Sequence, residues 1–224
     1  MVTQFVYFGC VPVDSESPEA KILIPYVRGV LDALEFKNGP SHAEVMMTPD
    51  GPCLVEMNCR AHGGDGNWRP LCVALTGGYS QVEATADAYL DKKQFSLVPD
   101  KPPSPFKASG QEVILVSYGR GTVASTPGFE DIKELQSFVY LETGVRSGSV
   151  VDYTVDLFTG IGSVILMHHD AAVLEADVQK IRSMERNNEL FTFTDRAGFM
   201  TSPSVSELKA MADLTIDSGR NDLY

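Results

Sequence analysis

One short stretch constrains the fold of this chain more than any other: two strand-like runs that flank a tight turn. The runs are HAEVMMT (residues 42–48) and CLVEMNCR (residues 53–60), and Pro49-Asp50-Gly51 separates them. Short runs on either side of a glycine-containing turn predict a β-hairpin. The sequence therefore predicts an antiparallel strand pair in the first third of the chain.

The position of the turn predicts which residues face each other across the hairpin. If the turn is centred on Asp50, residues at equal distances from it pair, so that Glu44 faces Glu56 and His42 faces Asn58. Side chains alternate between the two faces of a strand, which places Glu44, Glu56 and Asn58 on one face. Directly opposed Cβ atoms are about 4.5–5.5 Å apart, so the two carboxylates are expected to lie close together.

Two carboxylates at that spacing repel each other unless something neutralises them. A hard divalent cation does so and prefers carboxylate and amide oxygens, and Asn58 supplies an amide. Arg60 follows on the same face, and its planar fork of donors suits a phosphate or a carboxylate. This face therefore indicates a metal site next to an anion site. The alternative is an ordinary hairpin whose polar face is simply solvated.

The other face of the predicted hairpin is apolar. It carries Val45, Met47, Val55 and Met57, a set that fits a packed core. Cys59 falls on the same face and is interpreted as a small core residue rather than a nucleophile.

The residues around the end of the second run leave alternatives open. Gly63 and Gly64 either let the backbone approach a ligand or form a plain tight turn. His62 either reaches a substrate or is an exposed loop residue. His42 either orients a carboxylate or is a hydrogen-bonded structural group at the start of the strand.

Apolar residues at helical spacing predict one helix before the hairpin and two after it. Ser17 is a favourable N-cap and Pro18 suits the first helical position, while Asn38-Gly39-Pro40 ends this helix. The later helices are predicted over Arg69–Leu75 and Ser80–Leu90. The first helix has a wide apolar stripe that consists of Ile22, Leu23, Tyr26, Val27, Val30, Leu31 and Leu34.

The second half of the chain predicts a small α+β domain that follows a proline-rich linker. We divide the chain into residues 1–96, a linker over 97–109, and the small domain over 110–224. The predicted elements after the linker are, in order, a strand over QEVILVSY, a short helix over GFEDIKELQSF, two strands within SVVDYTVDLFTGIGSVILMHH that join at Thr159-Gly160, a helix over AAVLEADVQKIRSMERNNEL, and one more helix over Ser204–Ala212.

The composition excludes several classes of protein. The 224 residues carry a net charge of −12 and no cluster of basic residues, which argues against nucleic-acid binding, and 43% of them are hydrophobic, enough for a packed core. The four cysteines are scattered, which favours a reducing compartment. We find no signal peptide and no apolar run near the roughly 18 residues of a membrane span, so we expect a soluble, cytoplasmic protein.

The stretch NGPSHAEVMMTPDGPCLVEMNCRAHGG resembles the metal-binding end of the ATP-grasp fold. It is especially similar to the L-amino acid ligase branch of the carboxylate–amine ligases, and the region after the linker resembles that branch more weakly. The resemblance implies an α+β chain: the metal-binding lobe of an ATP-grasp domain over residues 1–96, followed by the small domain.

The resemblance also implies a mechanism and a set of site residues. ATP phosphorylates a carboxylate, and an amine then attacks the acyl phosphate to form an amide or peptide bond. Glu44, Glu56 and Asn58 would hold Mg²⁺ or Mn²⁺ against the ATP phosphates. Arg60 would contact the substrate carboxylate or the acyl phosphate. His62, Gly63 and Gly64 are predicted to bind substrate.

Such enzymes have further lobes before this point, which hold the nucleotide. We therefore expect an N-terminally incomplete chain that turns over no ATP alone; the alternative is a non-catalytic binding or regulatory module derived from such a ligase. The expected partners are ATP and small carboxylate and amine substrates, without nucleic acid or membrane, and a homodimer is left open.

Overall fold

The computed structural model describes residues 6–63, 66 and 68–194. The strands are β1 (Gly9–Cys10), β2 (His42–Thr48), β3 (Gly51–Asn58), β4 (Ser109–Leu115), β5 (Gly121–Ser125), β6 (Phe138–Glu142), β7 (Val150–Val151), β8 (Gly162–His168) and β9 (Thr192–Phe193). The helices are α1 (Pro18–Ala33), α2 (Arg69–Thr76), α3 (Gln81–Leu90), α4 (Lys92–Phe95), α5 (Pro127–Lys133) and α6 (Ala171–Arg186), with a 3₁₀ turn over Leu157–Thr159.

The strands form three sheets, with the orders β1-β4-β8-β6, β2-β3 and β7-β5-β9. This mixture of helices and sheets is the α+β fold class that the sequence predicts. The described residues contain no helix that is both long and apolar enough to cross a membrane.

The chain divides into two compact units that are interleaved in sequence. The first, which we call the hairpin unit, contains residues 10–112 and 165–174. The second, which we call the α6 unit, contains the described residues of 1–9, 113–164 and 175–224. These units are not consecutive stretches, and the predicted division at residues 97–109 stays a prediction.

Helix α1 begins where the sequence predicts. The Ser17 side chain accepts a hydrogen bond from the Ala20 amide at 3.1 Å, and Pro18 occupies the first helical turn. The apolar stripe of α1 is nevertheless not a core face, because Ala20 is the only buried residue of the helix, and Ile22 and Leu34 remain 47% and 59% exposed. Helical periodicity thus predicts the helix but not its burial.

The β2–β3 hairpin contains a β-bulge. Glu44 pairs with Glu56, but the next pair is Val45 with Leu54, so Val55 has no partner across the ladder. A bulge bends a strand and re-aims its side chains. The Leu54 amide donates a hydrogen bond to the Tyr26 hydroxyl of α1 at 3.1 Å, which fixes this part of β3 to the helix.

The apolar face predicted for the hairpin is not a buried core face. Val55 is 61% exposed and Met47 is 43% exposed, so the set of Val45, Met47, Val55 and Met57 does not form a core. Cys59 is also exposed, because β3 ends at Asn58 and Cys59 lies beyond the ladder. An extra residue in one strand moves the side chains beyond it to the other face. A pattern of alternating side chains counted from the turn then assigns those faces wrongly.

Helices α2 and α3 follow the hairpin as predicted. Leu71 and Leu75 of α2 pack with Ile165 in a buried cluster to which Phe106, Ala108 and Met167 add partly buried surface. Gly110 is needed beside this cluster, because a Cβ atom there would lie 2.8 Å from the Leu166 carbonyl oxygen. The proline-rich segment before β4 therefore joins a packed cluster.

The α6 unit has the denser core. Its fully buried side chains come from β4, β5, β8, α5, α6 and the loops next to them, and include Val113, Leu115, Val116, Val123, Ile132, Val164, Ile181 and Leu190. A charged pair sits within this core: Glu185 accepts hydrogen bonds from Arg182 and from the Val116 amide. Burial raises the pKa of Glu185, and the neighbouring Arg182 opposes that shift.

The elements of the second half are only partly those predicted. The predicted strand over QEVILVSY, the short helix and the long helix correspond to β4, α5 and α6. Of the two strands predicted over residues 149–169, the second corresponds to β8. The first is wrong in extent, because it is limited to the two-residue β7, which pairs with β5 and is separated from β8 by the 3₁₀ turn. Strands β5, β6 and β9 were not predicted, and the predicted helix Ser204–Ala212 lies outside the described residues.

The first prediction concerns the buried pair in the α6 unit. Glu185→Ala should lower the free energy of unfolding by about 3–5 kcal/mol, because it leaves Arg182 without its buried partner. Chemical denaturation followed by circular dichroism measures the change. Glu130→Ala is the control: it breaks an exposed pair with Lys133 and should cost about 0–1 kcal/mol. Equal costs for the two variants would contradict the assigned role of Glu185.

The second prediction concerns the start of α3. The Ser80 hydroxyl donates to Glu83, and this hydrogen bond lowers the pKa of Glu83 from 4.5 to about 2, with Arg69 contributing. A carboxyl whose folded-state pKa is lowered stabilises the fold above its unfolded pKa and loses that effect as pH falls. Glu83→Gln should therefore cost about 1 kcal/mol at pH 7.

The wild type and Glu83→Gln should converge in stability as the pH falls below 4.5 towards the folded-state value of about 2. Urea denaturation at a series of pH values measures the gap between the two proteins. A gap that keeps its full size from pH 7 down to pH 3 would show that the ionised Glu83 is not what stabilises this helix start.

Candidate functional site

The two glutamates of the hairpin face each other as predicted. In the register of β2 and β3, Glu44 is the partner of Glu56 and His42 is the partner of Asn58. Both glutamates are exposed, and the Asn58 amide nitrogen donates a short hydrogen bond to the Glu56 carboxylate, so these two side chains lie on the same face. The hairpin thus presents two carboxylates and an amide near the end of its ladder.

Arg60 lies just beyond the strand rather than in it. Strand β3 ends at Asn58, and the Arg60 guanidinium is exposed and donates to the Ala61 carbonyl oxygen at 2.9 Å. A Cβ atom added to Gly63 would lie 3.9 Å from the Arg60 Nη1, so the guanidinium lies close to the backbone at Gly63. Arg60 and Gly63 are therefore brought together, whereas Gly64 lies outside the described residues.

Three aromatic side chains form a cluster next to this loop. The ring centroids of His42 and His62 are 4.6 Å apart, and those of His62 and Trp68 are 5.6 Å apart. The Trp68 indole donates a short hydrogen bond to the Gly63 carbonyl oxygen, and the Trp68 side chain is only 8% exposed. The sequence analysis missed this cluster, because its members come from a strand, a loop and a helix start.

The surroundings of His62 lower its pKa. Burial lowers the pKa of His62, and His42 and Arg60 lower it further, against an opposing effect of Glu44. The Nδ1 atom of His42 is buried and has no hydrogen-bond partner among the described residues.

The Gln81 side chain fixes the loop to the hairpin. Its Oε1 accepts a hydrogen bond from the His62 amide at 3.0 Å, and its Nε2 donates to the Ser41 carbonyl oxygen at 3.3 Å. Gln81 is the first residue of α3, so the start of that helix sets where His62 lies relative to β2. No pattern in the sequence signals this bridge, since it joins residues far apart in the chain.

The donor set of the hairpin suits a hard cation that also binds other ligands. Among the described residues, no group of three or more histidine, cysteine, aspartate or glutamate side chains is placed to hold a metal. Glu44, Glu56 and Asn58 provide two carboxylates and one amide oxygen, and the hydrogen bond from Asn58 to Glu56 uses the amide nitrogen instead. Mg²⁺ is commonly held by one or two carboxylates together with phosphates and water, which this set allows.

Comparisons with known proteins find similar sequences and folds, although no family model matches the chain. The chain is 29% identical over 166 residues to dapdiamide A synthase of Enterobacter agglomerans, a match that covers 73% of this chain and 38% of that protein. Its fold is similar to that of L-amino acid ligase from Bacillus licheniformis, with a TM-score of 0.65 and 21% identity over 85% of this chain and 45% of the other.

A second solved structure has a related fold. Phosphoribosylglycinamide synthetase from Anaerococcus prevotii matches with a TM-score of 0.56 and 12% identity, over 77% of this chain and 42% of that one. The chain thus spans less than half the length of each of these proteins. In sequence this chain is thus similar to a dapdiamide A synthase, and in fold it is similar to an L-amino acid ligase and a phosphoribosylglycinamide synthetase.

Proposed function

We propose that this chain provides the metal- and anion-binding part of an ATP- and Mg²⁺-dependent ligase that joins a carboxylate to an amine. The observation that carries the proposal is the register of the hairpin, which sets Glu44 opposite Glu56 with Asn58 beside it. The printed names of two similar proteins, a dapdiamide A synthase and an L-amino acid ligase, support the formation of an amide or peptide bond.

Each residue has a role that follows from its chemistry. Glu44, Glu56 and Asn58 would hold Mg²⁺, which when bound offsets the negative charge of the ATP phosphates. The exposed Arg60 guanidinium can donate two parallel hydrogen bonds to a carboxylate or to an acyl phosphate. Those hydrogen bonds would orient the reacting carbon and stabilise charge on its oxygens as the amine attacks.

The loop beside Arg60 completes the proposed substrate surface. His62 and Gly63 lie next to the guanidinium and next to Trp68, which limits the space available to a substrate on that side. The cytoplasmic location stays a prediction, and a homodimer stays open.

The third prediction tests the metal site directly. Millimolar Mn²⁺ should raise the melting temperature of the chain by about 1–4 °C, because an ion that binds only the folded state stabilises it by mass action. Glu56→Gln should remove most of that rise. Without metal, the same variant should melt slightly higher than the wild type, since it removes the repulsion between Glu44 and Glu56 while keeping the side-chain shape.

Differential scanning fluorimetry with and without Mn²⁺ measures both effects. Asp50→Asn is the matched control, because it removes an exposed carboxylate from the turn of the same hairpin and should keep the full metal-dependent rise. If the wild type shows no rise, or if Glu56→Gln keeps it, the assignment of Glu44 and Glu56 to a metal fails.

The fourth prediction tests the anion site. Arg60→Ala should weaken the binding of pyrophosphate in the presence of Mn²⁺ by about tenfold, because it removes charge-assisted hydrogen bonds to the phosphate. Isothermal titration calorimetry gives the dissociation constants. Arg28→Ala, which removes an exposed arginine of α1, should leave binding unchanged. Equal weakening by both variants would point to a general charge effect instead of a site at Arg60.

A further inference from the structure

A cavity of about 500 Å³ lies in the hairpin unit, away from the paired glutamates. It is formed by the turn that follows α1, by one face of α3 and by Phe95 of α4. Its lining residues are Lys37, Asn38, Gly39, Pro40, Gln81, Ala84, Thr85, Ala88, Tyr89 and Phe95. Cavities of about 300–1,000 Å³ are the size class in which proteins bind small organic molecules.

The walls of this cavity have an apolar body and a few polar groups. Pro40, Ala84, Ala88 and Phe95 supply the apolar surface. The small side chains of α3 at positions 84 and 88 leave room that larger residues would fill. An apolar space with a limited number of polar groups is the usual composition of a small-molecule site.

The backbone turn at the mouth of the cavity is unusual in conformation. Gly39 has a φ angle of +110°, which side chains other than glycine rarely adopt. A Cβ atom there would lie 3.5 Å from the Phe36 ring and 3.9 Å from the Tyr89 hydroxyl. A Cβ atom would fit at these distances, so it is the φ angle of the turn that favours glycine here, and the Tyr89 hydroxyl lies beside the turn.

The lining of the cavity carries a positive charge. Lys37 is the only charged residue among those described as lining it, and it is exposed, whereas the chain as a whole carries a net charge of −12. A local positive charge on a strongly negative protein selects for a ligand with an anionic group. Thr85 and Tyr89 add hydroxyls that can donate hydrogen bonds to the same group.

We propose that this cavity is a binding site for a small organic anion, with an aromatic or branched apolar body that fills the space over Ala84 and Ala88 and an acidic group that faces Lys37. The lining shares Gln81 with the bridge that holds His62, but it includes neither glutamate of the hairpin nor Arg60, so the ligand would not occupy the proposed metal and anion site. It therefore adds a ligand to the chain beyond the metal, the phosphates and the joined substrates.

A fluorescent aryl sulfonate, anilinonaphthalene sulfonate, is a suitable probe, since it has two ring systems and one fixed negative charge. The full chain should bind it saturably with one site per chain. Phenylnaphthylamine has a similar ring system without the sulfonate and serves as the neutral counterpart. Fluorescence titration of both probes gives the dissociation constants.

The fifth prediction compares variants that fill the cavity with one that does not. Ala88→Phe and Ala84→Leu should each weaken binding of the sulfonate at least about tenfold, because their side chains occupy the ligand's space. Ala86→Phe is the matched control, since Ala86 is an exposed residue of α3 outside the lining and pays a similar helix-propensity cost. It should bind like the wild type.

A fourth variant tests the charge. Lys37→Gln should weaken binding of the sulfonate about threefold, as expected for an exposed ion pair, and should leave binding of the neutral probe unchanged. Circular dichroism melts of all variants confirm folding, and Ala84→Leu decides the outcome if Ala88→Phe is unfolded.

Three results would overturn the proposal. The first is the absence of saturable binding to the wild type, and the second is wild-type affinity in both filled variants, which would place the probe elsewhere. The third is an equal effect of Lys37→Gln on the charged and neutral probes, which would remove the argument for an anionic ligand. Two results together support the proposal. Ala88→Phe and Ala84→Leu weaken binding of the sulfonate while Ala86→Phe does not, and Lys37→Gln weakens binding of the sulfonate but not of the neutral probe.

Discussion

The β-bulge at Val55 is the constraint on which the arrangement of the hairpin unit depends. It breaks the alternation of β3 at one position, and the adjacent Leu54 amide donates to the Tyr26 hydroxyl of α1. The pairs on the far side of the bulge, Glu44 with Glu56 and His42 with Asn58, are shifted by one residue from the register next to the turn, where Thr48 pairs with Gly51. The hydrogen bond from Leu54 to Tyr26 thus attaches β3 to α1 next to the bulge. The pair of Glu44 and Glu56 lies on the side of the bulge that is further from the turn.

The sequence predicts most of the helices and the hairpin, because local signals determine them. Ser17 and Ser80 are N-caps whose side chains satisfy free amides, and the structure shows both hydrogen bonds. Burial was not predictable in the same way. Ile22 and Leu34 of the α1 stripe, and Met47 and Val55 of the hairpin, follow an apolar pattern, yet they are exposed, since burial depends on which elements pack against them.

In the candidate site, too, some features are predictable from the sequence and others are defined only by the tertiary structure. The apposition of Glu44 and Glu56 is the one predicted about Asp50, but the pairs next to the turn are centred between Pro49 and Asp50, and it is the bulge that sets the two glutamates opposite each other. The cluster of His42, His62 and Trp68 joins a strand, a loop and a helix start, and no spacing in the sequence signals it. Short strands such as β7 and β9 escape prediction for a related reason: two residues are too few to show a period, and only tertiary pairing defines them.

The Gln81 bridge has a consequence for motion. The His62 amide is bonded to the first side chain of α3, and the start of that helix is itself held by Ser80, Glu83 and Arg69. Opening of the first turn of α3 would therefore release His62 at the same time. The exchange rate of the His62 amide hydrogen then reports the opening of a helix that lies outside the loop, so loop order and helix fraying form one cooperative unit.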